Sequence, residues 1–219
     1  RGAAEKWEKT SAFNRSQILY RVAEVMQGRA EQFVSEIIAQ EGLTKSQAKK
    51  QVEKAIDLWV WYSGWCDKIA TIYGATNPVS GSFYNFTIPE PLGVVGVFAG
   101  GKDSLLDLVH GIAPVLAGGN VAITLANQNF PLSAITLSEV FATSDLPAGV
   151  VNVLTGKHSE LASWVGSHMD IDGIDGSGLD SQVYESVRLA GTDNLKRIKK
   201  FSSTQSPERI LAFMESKTV

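Results

Sequence analysis

Val94, Val95, Val97 and Phe98 form a short apolar run without a charge, the pattern of a parallel strand covered on both faces. Gly100-Gly101 breaks the run. Leu105, Leu106, Leu108, Val109, Ile112 and Leu116 then recur at helical spacing. Gly118-Gly119 supplies a helix C-cap, and Val121-Ala122-Ile123 opens a second apolar run. The product is a strand–helix–strand unit, which is right-handed and parallel as a rule. The alternation continues through 92–200. It predicts strands at 93–98, 121–125, 150–154 and 194–198 with a weaker one near 171–174, and helices near 103–117, 131–143, 158–167 and 179–190. The fold class is therefore α/β, with a Rossmann-like open parallel sheet. Ligands of such sheets sit at the carboxyl ends of the strands, here Ala99-Gly100-Gly101-Lys102 and Leu125-Ala126-Asn127-Gln128.

The flanks carry other periodicities. Residues 3–72 read as three or four helices: Ile18, Leu19, Val22, Val25 and Met26 mark one face, and Phe33, Val34, Ile37 and Ile38 mark the next. Gly28 and Gly42 interrupt them, and Thr44-Lys-Ser-Gln47 is a capping box. Over 77–90, Ser82, Tyr84, Phe86 and Ile88 alternate at the period of a strand. Ser202 to Pro207 is a polar linker, Glu208 to Phe213 fits either a helical turn or an extended segment, and Met214 to Val219 reads as a strand. The chain thus divides into N-terminal helices (1–76), a hairpin region (77–91), the α/β core (92–200) and a linker with a terminal strand (201–219), all parts of one structural domain.

Composition narrows the function classes. Hydrophobic residues make up 44% of the 219, enough for a core. Net charge is −3 with both signs mixed, which gives no nucleic-acid footprint and no membrane-surface patch. No apolar run reaches membrane-spanning length. His110, His158 and His168 are isolated, and no metal is expected. Asp170, Asp172, Asp175 and Asp180 miss the spacing of a calcium loop. The single cysteine, Cys66, suits a reducing, cytoplasmic compartment. It lies in an apolar helical pattern and has no local base to activate it.

Several segments resemble, in order and spacing, the cofactor-binding half of the aldehyde dehydrogenase superfamily. They are PLGVVGV (91–97), IAPVLAGGN (112–120), Pro131-Leu132, LPAGVVNVLTG (146–156) and Asn194-Leu195-Lys196-Arg197. Upstream, Trp7, Arg15, Glu41-Gly42 and Tyr62-Ser-Gly-Trp65 fit as well, and Phe213 through Val219 resembles the family's oligomerisation strand. The resemblance implies protruding oligomerisation strands, with Tyr84, Phe86, Phe213, Glu215, Lys217 and Val219 at an interface and the terminal strand joining another subunit. It also implies an absence. The family's catalytic domain belongs between Asn194 and the tail, where Lys199 to Ser206 leaves no room for one.

The positions that match the family's other site residues are altered. Gly100, Gly101 and Lys102 stand where the family has Pro-Trp-Asn, whose Asn holds an oxyanion; loss of such a donor lowers rates by about 100- to 1000-fold. Lys102 fits either electrostatic support for an anion or plain surface exposure. Leu125-Ala126-Asn127-Gln128 replaces a ribose-binding Lys-Pro-Ser-Glu. Gly176, Ser177 and Gln128 are vestiges of a nucleotide site, and the aspartates crowd the expected pyrophosphate position. The expectation is a pseudoenzyme with no catalytic residues and a degenerate NAD site. Its expected partner is an aldehyde dehydrogenase module in cis or trans, or a second copy, as in the shortened second module of the aldehyde dehydrogenase 16 family. The initial Arg1 fits such an excised module. Weak NAD binding, or service to an active site in another module, are the alternatives.

Overall fold

The computed structural model describes residues 1–202 and 204–219. Its N-terminal part is five helices rather than three or four: α1 (Gly2–Glu8), α2 (Ala12–Gly28), α3 (Ala30–Glu41), α4 (Lys45–Ser63) and α5 (Ile69–Tyr73). The first and last are too short to show a repeat. Local chemistry sets the ends of the others. Ser11 accepts from Asn14 N at the start of α2, Gly42 closes α3 at φ +66°, and Thr44 with Gln47 forms the expected capping box of α4.

Five parallel strands follow: β3 (Val94–Phe98), β4 (Val121–Leu125), β5 (Val151–Leu154), β6 (Gly173–Asp175) and β7 (Arg197–Lys199), in the order β5-β4-β3-β6-β7. They alternate with α6 (Ser104–Ala117), α7 (Leu132–Ala142), α8 (His158–Ser167) and α9 (Ser181–Ala190). Strand order reverses between β3 and β6, the switch point at which open α/β sheets bind ligands. Every residue of α6 except Asp107 is buried, as befits a helix that is apolar on all sides and sits at the centre of the core. Gly119, at φ +89°, turns the chain out of α6, and Asn120 N bonds Val115 O across the turn.

The strand predicted at 194–198 starts later. Thr192–Asn194 is a turn of 3-10 helix and Leu195 is left-handed at φ +55°, so pairing with β6 begins only at Arg197. The weak strand near 171–174 is β6, displaced toward its carboxyl end.

A second sheet of three antiparallel strands stands beside this core: β1 (Ala75–Thr76), β2 (Phe86–Pro91) and β8 (Met214–Thr218), in the order β1-β2-β8. Only the second half of the extended segment expected over 77–90 is a strand, and Ser82 and Tyr84 lie in the loop before it. The terminal strand does not wait for another subunit. It pairs with β2 of its own chain, from Pro91↔Met214 to Thr87↔Thr218. Before it, α10 (Glu208–Leu211) settles the ambiguous segment as a helical turn. Asn120 ties tail to core by accepting from Gly93 N and donating to Phe213 O, both at 2.8 Å. Phe213 is 1% exposed, packed with Val95, Val97, Val115 and Ala122 on the side of the sheet that α6 covers. Its expected place at an interface is thereby corrected: the chain's own core has taken it.

Candidate functional site

At the carboxyl ends of β3 and β6 lies a cavity of about 310 Å³, walled by Gly101, Asp107, His110, Ser177, Phe201 and Arg209 among others. Two glycines make it compact. Gly100 and Gly178 pack backbone to backbone, so a Cβ on Gly100 would meet Gly178 O at 2.4 Å.

Beneath the cavity is a buried ion pair. Arg209 is 4% exposed and Asp175 2%, with Nη2 3.1 Å from Oδ2. The guanidinium also donates to His110 O at 2.9 Å and Ser202 O at 2.7 Å, and lies over the Phe201 ring at 4.6 Å. The free carbonyl of His110 has a cause in the sequence. Residue 114 would ordinarily donate to it, but Pro114 has no N–H, and Arg209 takes the vacant acceptor. Asp175 Oδ1 accepts from Ser177 N and from Ser177 Oγ, and Ser177 Oγ accepts from Phe201 N. Burial pushes the Asp175 carboxyl above its ordinary range against the pull of Arg209 and Ser177.

The two helix N-termini that could cradle a phosphate are already occupied. At α6, Glu41 accepts from Ser104 N and Gln51 from Leu105 N. At α9, Asp180 accepts from Val183 N at 2.8 Å. The vestigial residues are engaged in the same way. Ser177 closes the Asp175 turn, Gly176 lies against the Tyr184 ring, and Gln128 caps α8 by accepting from His158 N at 3.1 Å. Leu125 is fully buried and Lys102 is exposed. The aspartates do not crowd one place, contrary to expectation. Asp170 and Asp172 hold Arg1 at the amino end of the sheet, where Asp172 also accepts from Val94 N; only Asp175 lines the crevice.

Two groups in the crevice are strongly perturbed. Burial lifts Asp107 to about 6, with Asp103 and Glu41 adding repulsion, and burial beside Arg209 and Lys54 lowers His110 to about 4. Outside the site, burial pushes Cys66 up to about 12, which leaves it an inert thiol. Arg209, Asp107 and the Asp175 pairing were not evident in the sequence. The one signal was Pro114 inside a strong helix pattern, which announces a free carbonyl in need of a donor.

The other expected group is on the three-stranded sheet. Tyr84 is 74% exposed and stacks on Phe86 at 5.5 Å; Val219 is 55% exposed and exchanges both backbone bonds with Phe86. Lys217 pairs with Glu90 at 3.0 Å and Glu215 with Arg197 at 3.4 Å. Phe83, in the loop before β2, is 80% exposed. Among the described residues, no strand pairs with the far edge of β8.

A doubly wound parallel sheet with a crevice at its switch point places the molecule in the class of open, Rossmann-like α/β folds. Within that class the chain belongs to the aldehyde dehydrogenase family, whose profile matches residues 1–212. It is 30% identical over 202 residues to aldehyde dehydrogenase family 2 member B4, mitochondrial, of Arabidopsis thaliana, covering 92% of this chain and 37% of that one. It is 34% identical over 189 residues to hydroxyisobutyraldehyde dehydrogenase of Mycolicibacterium austroafricanum, covering 86% and 37%. Among solved structures, an aldehyde dehydrogenase from Brucella melitensis biovar abortus superposes with a TM-score of 0.81 at 21% identity, covering 90% of this chain and 40% of that one. A betaine aldehyde dehydrogenase variant from Staphylococcus aureus, solved with NAD+, gives 0.82 at 20% identity with the same coverage. The chain therefore spans about 40% of the length of the relatives it matches. No helix among the described residues is long and apolar enough to cross a membrane.

Proposed function

We propose that this chain is a non-catalytic aldehyde dehydrogenase-like module that acts in assembly, binding a second copy or a full aldehyde dehydrogenase unit through its three-stranded sheet. The observation that carries the reading is that sheet: the residues of β8 after Met214 are exposed, no strand pairs with its far edge among the described residues, and Tyr84 and Val219 lie exposed around Phe86 at one end of it. An exposed edge with apolar neighbours is a template for strand addition. The altered crevice supports the loss of turnover. Eight residues separate β7 from α10, and Arg209 fills the floor beneath the site. NAD is not expected to bind, because Glu41, Gln51 and Asp180 hold the backbone donors a pyrophosphate would need. A cytoplasmic setting fits the single buried thiol.

Sedimentation of the chain against concentration, with the double variant Tyr84→Ser and Phe86→Ser, tests the assembly role. Association by the chain and a monomeric variant of unchanged melting temperature are expected. An unaltered association constant in the variant would overturn the role assigned to the sheet.

A further inference from the structure

The crevice contains a carboxylate that forms no salt bridge among the described residues, with the charge of Arg209 reaching it only at longer range. Asp107 is the sole residue of α6 that is not buried, and it presses against Gly101 so closely that a Cβ there would lie 2.3 Å from Oδ2. Its hydrogen-bonding help comes from the backbone of Asp103, Asp103 and Glu41 repel it, and the charge of Arg209 offsets them only weakly. A desolvated carboxylate in such company is unfavourable unless a cation joins it.

A second observation points to an occupant. His110, one turn along the same helix, is 8% exposed and lines the same cavity, and its ring Nδ1 is buried with no partner among the described residues. Asp103, one turn before Asp107, lines it as well. A metal ion does not satisfy this set, because no three His, Cys, Asp or Glu side chains among the described residues converge tightly enough to hold one. The cavity, at about 310 Å³, is within the range of small-molecule sites. The guanidinium of Arg209 in its floor is already engaged by Asp175, two carbonyls and the face of Phe201, which leaves Asp103 and Asp107 as the acceptors for an incoming charge. An anion meets the opposite situation, with Asp103 and Asp107 facing it and the α6 N-terminus already occupied.

We propose that this crevice binds a small organic cation carrying a guanidinium or primary ammonium group, with Asp107 as its charge partner, Asp103 as a second acceptor and the His110 ring as a polar wall. The site exchanges the dinucleotide chemistry of the fold for recognition of a compact cation, and it is independent of the assembly surface.

Calorimetric titration of the full chain with n-butylguanidinium and with 1,4-diaminobutane tests the proposal, with n-butanol and NAD as neutral and anionic controls. Saturable one-to-one binding of a cation is expected, without binding of butanol or NAD. Asp107→Asn is expected to weaken the cation by about tenfold or more without lowering the melting temperature. Lys102→Ala, which removes a like charge at the rim, leaves binding equal or tighter. No saturable heat with either cation would overturn the proposal. So would equal affinity in Asp107→Asn, or displacement of the cation by NAD.

Discussion

The α/β core and the three-stranded sheet are built on opposite rules. In the core, α6 is buried on every side but at Asp107, and β3 is buried at every residue. In the small sheet, β2 is half-buried throughout and β8 is exposed after Met214. The first region is held by apolar burial and tolerates little change. The second rests on backbone ladders and a few side-chain pairs, an arrangement marginal in isolation. What joins them is polar and local: Asn120 bridging Gly93 and Phe213, and Arg209 bridging Asp175, His110 and Ser202. The buried pair fixes α10, the turn that leads into β8, against β6 and so sets where the small sheet stands.

The largest expected effect breaks the anchor. Arg209→Ala leaves Asp175 buried without its counter-charge and should destabilise the chain by about 3–5 kcal/mol in urea unfolding. Pairing Arg209→Met with Asp175→Asn keeps an acceptor for Ser177 and should recover most of that loss. A double variant as unstable as the single would show that the pair does more than balance charge. Phe213→Ala should cost about 3–5 kcal/mol as well, because the ring is buried among Val95, Val97, Val115 and Ala122. A loss below about 1 kcal/mol would mean that the tail is not docked on the core.

A smaller effect concerns pH. Asp107 titrates near 6 when folded, so its contribution to stability is favourable at low pH and falls as pH rises from about 4 to 6. His110 is held near 4, so its contribution falls as pH drops from 6.5 through 4. The two slopes oppose each other across the same window. Asp107→Asn should stabilise the chain by about 1–2 kcal/mol at neutral pH, after allowance for solvent screening. It should also uncover the loss of stability on acidification that His110 alone predicts. Urea titrations at pH 4.5 and pH 7.5 measure both. Smallest of all, Cys66, pushed up to about 12, should resist thiol reagents at pH 8 until the chain unfolds.

The same contrast governs how far the sequence could be read. Helices and strands of the core were legible because burial on both faces writes long apolar runs, as at 94–98 and 104–117. Leu195 adopted the left-handed region that a leucine seldom takes, and the strand after it shifted by three residues, a displacement no periodicity signals. The hairpin alternation extended past its true start because Ser82 and Tyr84 keep the strand period without strand partners. Phe213 read as an interface residue because its neighbours Glu215, Lys217 and Val219 are exposed; a single packed ring in a polar tail gives no period. In the crevice, the altered Gly100, Gly101, Lys102 and Leu125 were legible, whereas the capping roles of Glu41, Gln51 and Gln128 depend on contacts between distant segments.

The central claim, that the small sheet is the surface by which the chain assembles, is tested most directly by its mass in solution. Light scattering should compare the full chain with one ending at Phe213, a cut that removes β8 while keeping Arg209 and the Phe213 ring in the core. The account predicts an oligomer for the full chain and a folded monomer for the shortened one. A monomer in both cases, or an oligomer that survives the cut, would contradict it.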